Sequence, residues 1–235
     1  MHILQRQTWI MMLTGFCILF GLAVANAEPG DLPPELLGVQ PQELHGKAGE
    51  PEYIRMVDYG PEVKYVYFTL DEWNRIKDMA PMEVGDDVYV RGKSEQRWQY
   101  HITYAPIYLK DRFNPEYRVS EYTIYPETNM TLAEVANLVP QGGVLKGKSL
   151  NASLATTQKG QPAVMMITAP FEGEHIVGEY FRKFREKGDM AKLIEVGFKD
   201  PIENVGKASE ISYISFKLGV GRVRDEAVSL HEYLD

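Results

Sequence analysis

Arg97-Trp-Gln-Tyr-His-Ile-Thr-Tyr-Ala-Pro-Ile-Tyr-Leu109 alternates large apolar or aromatic side chains with others along most of its length. A repeat of two is the repeat of a strand, so the stretch reads as one long β-strand. Trp98, Tyr100, Ile102 and Tyr104 then share one face, and His101 lies on the other. Proline has no N–H to give to a ladder, which places Pro106 at a bulge, an edge or the strand's end.

The same signals continue on both sides. Upstream, Val63-Lys-Tyr-Val-Tyr-Phe68 is β-branched and aromatic. Thr69-Leu-Asp-Glu72 follows as a capping box, with Thr69 as the cap and Glu72 reaching back. It predicts a short helix to about Met79, stopped by Pro81, and a turn at Val84-Gly-Asp-Asp87 into a strand through Val90. Downstream, Val119 to Tyr125 is a further strand. Thr131-Leu-Ala-Glu134 is a second capping box, opening a helix that Pro140 ends, and Gly142-Gly143 then turns into Val144-Leu-Lys-Gly-Lys148. Gln161 to Thr168, Lys192 to Phe198 and Glu210 to Leu218 also read as strands. A helix from Glu174 to Lys187 carries Ile176, Val177, Tyr180, Phe181 and Phe184 as one apolar stripe. A last helix is predicted from Asp225 to Leu234.

The fold class is therefore α+β: a mainly antiparallel sheet with three to four short helices. A helix followed by a strand ending Gly-Lys occurs twice, at Thr69 to Lys93 and Thr131 to Lys148. This admits two similar small α+β units, at 52–127 and 128–235.

Two segments precede them. Arg6 is the only Lys or Arg before position 47, and residues 7 to 27 carry no charged side chain. Trp9 to Val24 is apolar, and Ala25-Asn-Ala27 follows it. A positive start, an apolar middle and small residues two apart at the end form a secretory signal peptide. Cleavage is expected near Ala27. If it were retained, the same stretch would be a membrane anchor, since it approaches the roughly 20 apolar residues a spanning helix needs. Residues 28–51 hold Pro29, Pro33, Pro34, Pro41 and Pro51 with Gly30, Gly38, Gly46 and Gly49. They read as a flexible, poorly ordered lead.

Removing 27 residues leaves 208, with 24 basic and 33 acidic side chains and a formal charge of −9. Nucleic acid needs clustered cations, so it is not an expected partner. Nor is an anionic membrane surface, leaving the signal segment as the only expected membrane contact. The single cysteine, Cys17, lies in the signal. The mature chain has no thiol or disulfide and must be held by its core. These features fit an exported, periplasmic protein.

The search for chemistry returns two candidates. Glu172, Glu174, His175 and Glu179 could offer oxygen and nitrogen ligands to one metal, because His175 and Glu179 fall on one helix face. That set would suit a metal-dependent hydrolase, although it lacks a second histidine. Trp98, Tyr100 and Tyr104 share a strand face and could line a ligand or glycan site. Eight of the 14 tyrosines fall between Tyr53 and Tyr108, and tyrosine gives rigid, amphipathic contact area. No serine sits in a Gly-x-Ser-x-Gly elbow, and no cofactor signature is present. The first expectation is an exported, non-enzymatic binding or envelope-assembly protein with a protein or glycan partner. A tyrosine-lined small-ligand protein and the metal-dependent hydrolase are the alternatives.

Overall fold

The computed structural model describes residues 32–58, 64–77, 85–93, 95–107, 116–146, 151–155, 160–171, 189–221 and 230–234. The signal segment and the helix expected at 174–187 lie outside them. Within them, the fold is mixed α+β and dominated by one large antiparallel sheet.

The nine described strands are β1 (Tyr53–Asp58), β2 (Lys64–Thr69), β3 (Asp86–Lys93), β4 (Gln96–Ile107), β5 (Glu116–Pro126), β6 (Asn151–Ala155), β7 (Pro162–Pro170), β8 (Asp189–Pro201) and β9 (Ile211–Gly221). Their order across the sheet is β2-β1-β3-β4-β5-β9-β8-β7-β6, so β2 and β6 are the edges. Within the stretch Arg97–Leu109, residues 97–107 fall in β4, near the sheet's middle. Its register slips between Thr103 and Tyr104, three residues before its end, and Pro106 sits beyond that bulge. Gly92, paired with Arg97 near the end of β3, has a φ of +93 in the left-handed region, and a Cβ there would lie 2.1 Å from the Gln96 carbonyl oxygen.

Four described α-helices complete the elements: α1 (Pro41–Ala48), α2 (Leu70–Ile76), α3 (Leu132–Leu138) and α4 (His231–Leu234). Both capping boxes form. The Thr69 side chain accepts from the Glu72 amide and the Glu72 carboxylate accepts from the Thr69 amide, and Thr131 and Glu134 repeat the arrangement. Pro41 sits in the first turn of α1, where its missing N–H is no loss.

Alternation divides the sheet into two faces. One carries Tyr100, Ile102, Tyr122, Ile124, Ile194, Val196, Met165, Ile167, Ile214 and Phe216, all buried. Tyr122 and Phe216, paired across β5 and β9, stack with centroids 4.7 Å apart. Leu132, Val135 and Ala136 of α3, Leu145 of the following 3-10 turn and Leu230 before α4 cover part of this face.

The segment expected to be a flexible lead covers much of the rest. Residues 32–50 lie over the sheet as a strap, with Leu32, Leu36, Leu37, Leu44 and Ala48 buried. The Gly38 amide donates to the Val119 carbonyl at 2.8 Å, and the Val119 amide donates to the Val39 carbonyl at 2.9 Å. Lys192 pairs with Glu35, and Arg118 Nη1 donates to the Gly38 carbonyl at 2.9 Å. Proline and glycine frequency signalled irregular backbone, but five apolar side chains at spaced positions gave that backbone enough surface to bury.

The two expected units share one sheet and one hydrophobic cluster. β5, from residues 52–127, pairs with β9, from residues 128–235. The second helix-then-strand copy also departs from the first. Pro140–Lys146 forms a 3-10 turn where a strand was expected from Val144. Gly142 packs against the Ala136 backbone there, so tight that a Cβ would lie 2.6 Å from Ala136 Cα.

Candidate functional site

The three aromatic residues singled out on β4 point into the covered face. Trp98 is 9% exposed and Tyr100 is 1% exposed. The Tyr100 hydroxyl donates to Gln141 Oε1 at 2.6 Å, and Gln141 Nε2 donates to the Pro33 carbonyl at 2.6 Å. Tyr100 thus ties β4 through the 3-10 turn to the strap. Tyr104 packs against the same core and donates its hydroxyl to Asp87. Burial and that carboxylate push the Tyr104 hydroxyl far above its ordinary titration range. Glu172, Glu174, His175 and Glu179 lie outside the described residues. Among the described residues, no group of three or more His, Cys, Asp or Glu is placed to hold a metal, and no helix is long and apolar enough to cross a membrane.

Asp87 is buried and also receives His45. His45 Nε2 lies 2.6 Å from Asp87 Oδ2, and His45 Nδ1 lies 3.7 Å from Glu50. The hydrogen bond to Asp87, with the negative charges of Asp87 and Glu50, raises the His45 pKa against the opposing effect of burial. Helix α1 is thereby fastened to β3 by a histidine–aspartate pair whose aspartate also holds Tyr104.

The opposite face of the sheet has a different character. Cross-strand pairing places Tyr67 beside Arg55, Arg55 beside Asp86, His101 beside Thr123 and Thr123 beside Ser215. Tyr65, Tyr125 and Tyr213 lie on this face too, by the period-two repeat. At its centre is Arg55. Its Nε donates to Asp86 Oδ2 at 3.0 Å, and its Nη1 donates to His101 Nδ1 at 2.7 Å. Arg55 also hydrogen-bonds the Tyr125 hydroxyl, and its guanidinium lies 4.6 Å from the Tyr65 ring centroid. His101 Nε2 completes the pattern by donating to Gln99 Oε1 at 3.2 Å. Burial and the Arg55 charge lower the His101 pKa to about 4, so its ring is neutral at neutral pH.

Around this polar centre run aromatic rings. Tyr67 meets His101 edge-on with centroids 6.0 Å apart. His101 meets Tyr125 at 4.7 Å, and Tyr125 meets Tyr213 at 6.3 Å. Tyr67 and His101 stand on strands three steps apart, a backbone separation of about 14 Å, so the side chains lean inward over β1 and β3. The Tyr213 ring lies over Gly197, where any Cβ would come within 2.3 Å of it, and its hydroxyl donates to Glu195. Tyr65 is 56% exposed, Tyr67 48% and Tyr53 41%. They stand on the edge strand β2 and its neighbour β1.

The β4 alternation already placed His101 on the face away from Trp98 and Tyr100. Alternation in Lys64–Thr69 likewise separates Tyr65 and Tyr67 from Val66 and Phe68. That these fall beside Arg55, Tyr125 and Tyr213 depends on the strand order, which no local pattern carries. No protein-family model, no curated protein and no solved structure matches the chain.

Proposed function

We propose that this chain is an exported, non-enzymatic binding protein of the cell envelope, periplasmic after cleavage near Ala27, and that it engages a protein or glycan partner through the tyrosine-lined face of its sheet. One observation carries the reading. The strap and helices cover much of one face of the sheet, and on the other, among the described residues, Tyr53, Tyr65 and Tyr67 stand exposed beside a buried Arg55–His101 centre whose polar groups are already satisfied. Exposed aromatic area is what interfaces use, and tyrosine supplies it with little conformational freedom to lose.

The same geometry argues for binding over chemistry at this centre. A general base needs a free lone pair and a pKa near the working pH. His101 has its acceptor nitrogen on Arg55, its donor nitrogen on Gln99 and a pKa of about 4. Arg55 is held by Asp86, which quenches its pull on an anionic intermediate.

The test is site-specific photo-crosslinking in the envelope of living cells. A photoreactive residue at Tyr67 should capture a partner, and one at Ser153, at the far edge of the same sheet, should not. Mass measurement of the same material should show a chain beginning at Glu28. Equal capture from both positions, or capture from neither together with turnover of a substrate by the purified chain, would sink the proposal.

A further inference from the structure

We infer that a second copy of this chain pairs with the free edge of β2, antiparallel about Val66, so that two copies together build the tyrosine face. The inference rests on the binding role proposed above and names a partner at that face.

Three observations lead there. The first is the state of the edge. β2 ends the sheet, and among the described residues no strand lies on its outer side. It buries none of its six side chains, so the cover laid over the sheet further in stops short of it. An edge strand offers a row of backbone N–H and C=O groups, and natural proteins blunt such rows with proline, bulges or charges. Lys64-Tyr-Val-Tyr-Phe-Thr69 has one charged side chain and no proline. Its pairing with β1 runs without a shift from Asp58–Lys64 to Tyr53–Thr69. What this edge matches is the backbone of another extended chain.

The second is register. The Thr69 amide is spent on the Glu72 carboxylate, which closes the edge at one end. The open window is Lys64–Phe68, and its centre is Val66. A two-fold pairing of this window sets Val66 opposite its own copy and Tyr65 opposite Tyr67 of the other copy, twice. Opposed aromatic side chains are favourable cross-strand pairs. Tyr65 and Tyr67 stand exposed on the Arg55 face. A two-fold axis normal to the sheet keeps that face on one side in both copies, so four tyrosines fill its middle. On the reverse side Val66, 36% exposed, meets its copy beside Phe68, which packs against Trp73.

The third is charge and closure. Lys64 falls opposite Phe68, which keeps the two Lys64 residues about 14 Å apart along the strand. No like charges are opposed. The other edge strand, β6, is Asn151-Ala-Ser-Leu-Ala155, small and polar, with no aromatic match for β2. Pairing β2 with β6 would also leave an open edge at every step, whereas β2 on β2 uses up the aromatic edge of both copies and closes. The formal charge of −9 on each mature chain opposes association. Five residues a side also fall short of the roughly 20–30 of a standard interface. The dimer is therefore weak, and it tightens as salt screens the net charge.

The experiment uses the purified mature chain. Sedimentation over a dilution series should show a reversible monomer–dimer equilibrium in the micromolar range that strengthens with salt. The mature chain has no thiol of its own, so Val66→Cys tests the register cleanly. Directly opposed strand residues have Cα atoms about 4.5–5.5 Å apart, within disulfide reach. Mild oxidation should link Val66→Cys into a covalent dimer. Thr69→Cys, about 20 Å from its copy in this register, and Ser153→Cys on β6 should stay unlinked. Val66→Lys and Val66→Glu should each abolish the dimer while leaving the melting temperature near that of the parent, and an equal mixture of the two should restore it. A chain that stays monomeric at every concentration would overturn the inference. So would association that weakens with salt, a dimer indifferent to Val66→Lys, or linkage from Ser153→Cys as ready as from Val66→Cys. If the chain is monomeric yet a photoreactive residue at Tyr67 captures a different protein, only the second copy falls. If Tyr67 captures neither, the binding role falls with it.

Discussion

Gln141 is the side chain on which the covered face turns. It accepts from Tyr100 and donates to the Pro33 carbonyl; Tyr100 and Gln141 are buried and Pro33 is half-buried. Gln141→Leu keeps much of the volume but removes the bonds to the Tyr100 hydroxyl and the Pro33 carbonyl. A buried polar group left unsatisfied costs about 1–3 kcal/mol, and urea denaturation should show a loss in that range. Tyr100→Phe removes one partner of the same bond and should cost less than Gln141→Leu.

His45 and His101 set opposite pH limits. His45 has a folded pKa above 6.5, so its contribution is complete below pH 6.5 and is lost as pH rises through that higher value. His101 has a folded pKa of about 4, so its contribution is complete above pH 6.5 and is lost as pH falls from there toward 4. Melting temperatures across pH should show this difference. His45→Gln should flatten the alkaline decline, and His101→Gln should flatten the acid one. The side of β4 on which His101 lies was legible from alternation. Its neutral state was not, because Arg55 arrives from 46 residues away.

Among the elements, the two capped helices make a matched pair with unequal stakes. Thr69 and Thr131 make the same bonds, but α2 buries no residue and α3 buries Leu132, Val135 and Ala136. Thr131→Ala should destabilise the protein by about 1 kcal/mol, within the usual range for a lost cap. Thr69→Ala should fray α2 and leave global stability nearly unchanged, which hydrogen exchange would separate from unfolding. Such local features were readable because their partners lie three residues apart. The strands β2 to β5 and β7 to β9 were readable for a similar reason, since alternation is local. β6 was missed: Asn151-Ala-Ser-Leu-Ala155 is small and polar, and its pairing with β7 supplies what its own composition does not. The 3-10 turn at Pro140–Lys146 was misjudged as the approach to a strand because Gly142-Gly143 suggests a turn equally well in either setting. The strap was misjudged because its order comes from surface provided by β5 and β8. Leu44→Ala should show this directly. A fully buried leucine replaced by alanine costs about 2–5 kcal/mol, whereas in a flexible lead it would cost nothing.

For the molecule as a whole, one sheet and one cluster of buried side chains join what the sequence pattern divided at residue 128. Repeated motifs are evidence of local similarity, and they are silent on whether two copies close separate cores. Here the β5–β9 ladder and the Tyr122–Phe216 stack run across the division. Unfolding should therefore be a single cooperative transition, with tryptophan fluorescence and far-ultraviolet circular dichroism giving the same midpoint. Two separated midpoints would mean that the ladder does not couple the halves. The Arg55–His101 face was the least legible part of the described structure, since its residues come from seven strands whose neighbours are fixed only by the completed sheet.

The strap also sets an order of events in time. Glu35 is joined to Lys192, Gly38 to Val119 and Gln141 to Pro33. The segment that leaves the ribosome early is held by segments made long afterwards. Leu36 and Leu44 can find no lasting shelter until the chain that forms β5, β8 and β9 exists. Closing so long a loop is slow, and during the delay a row of leucines stands open to any chaperone that meets it.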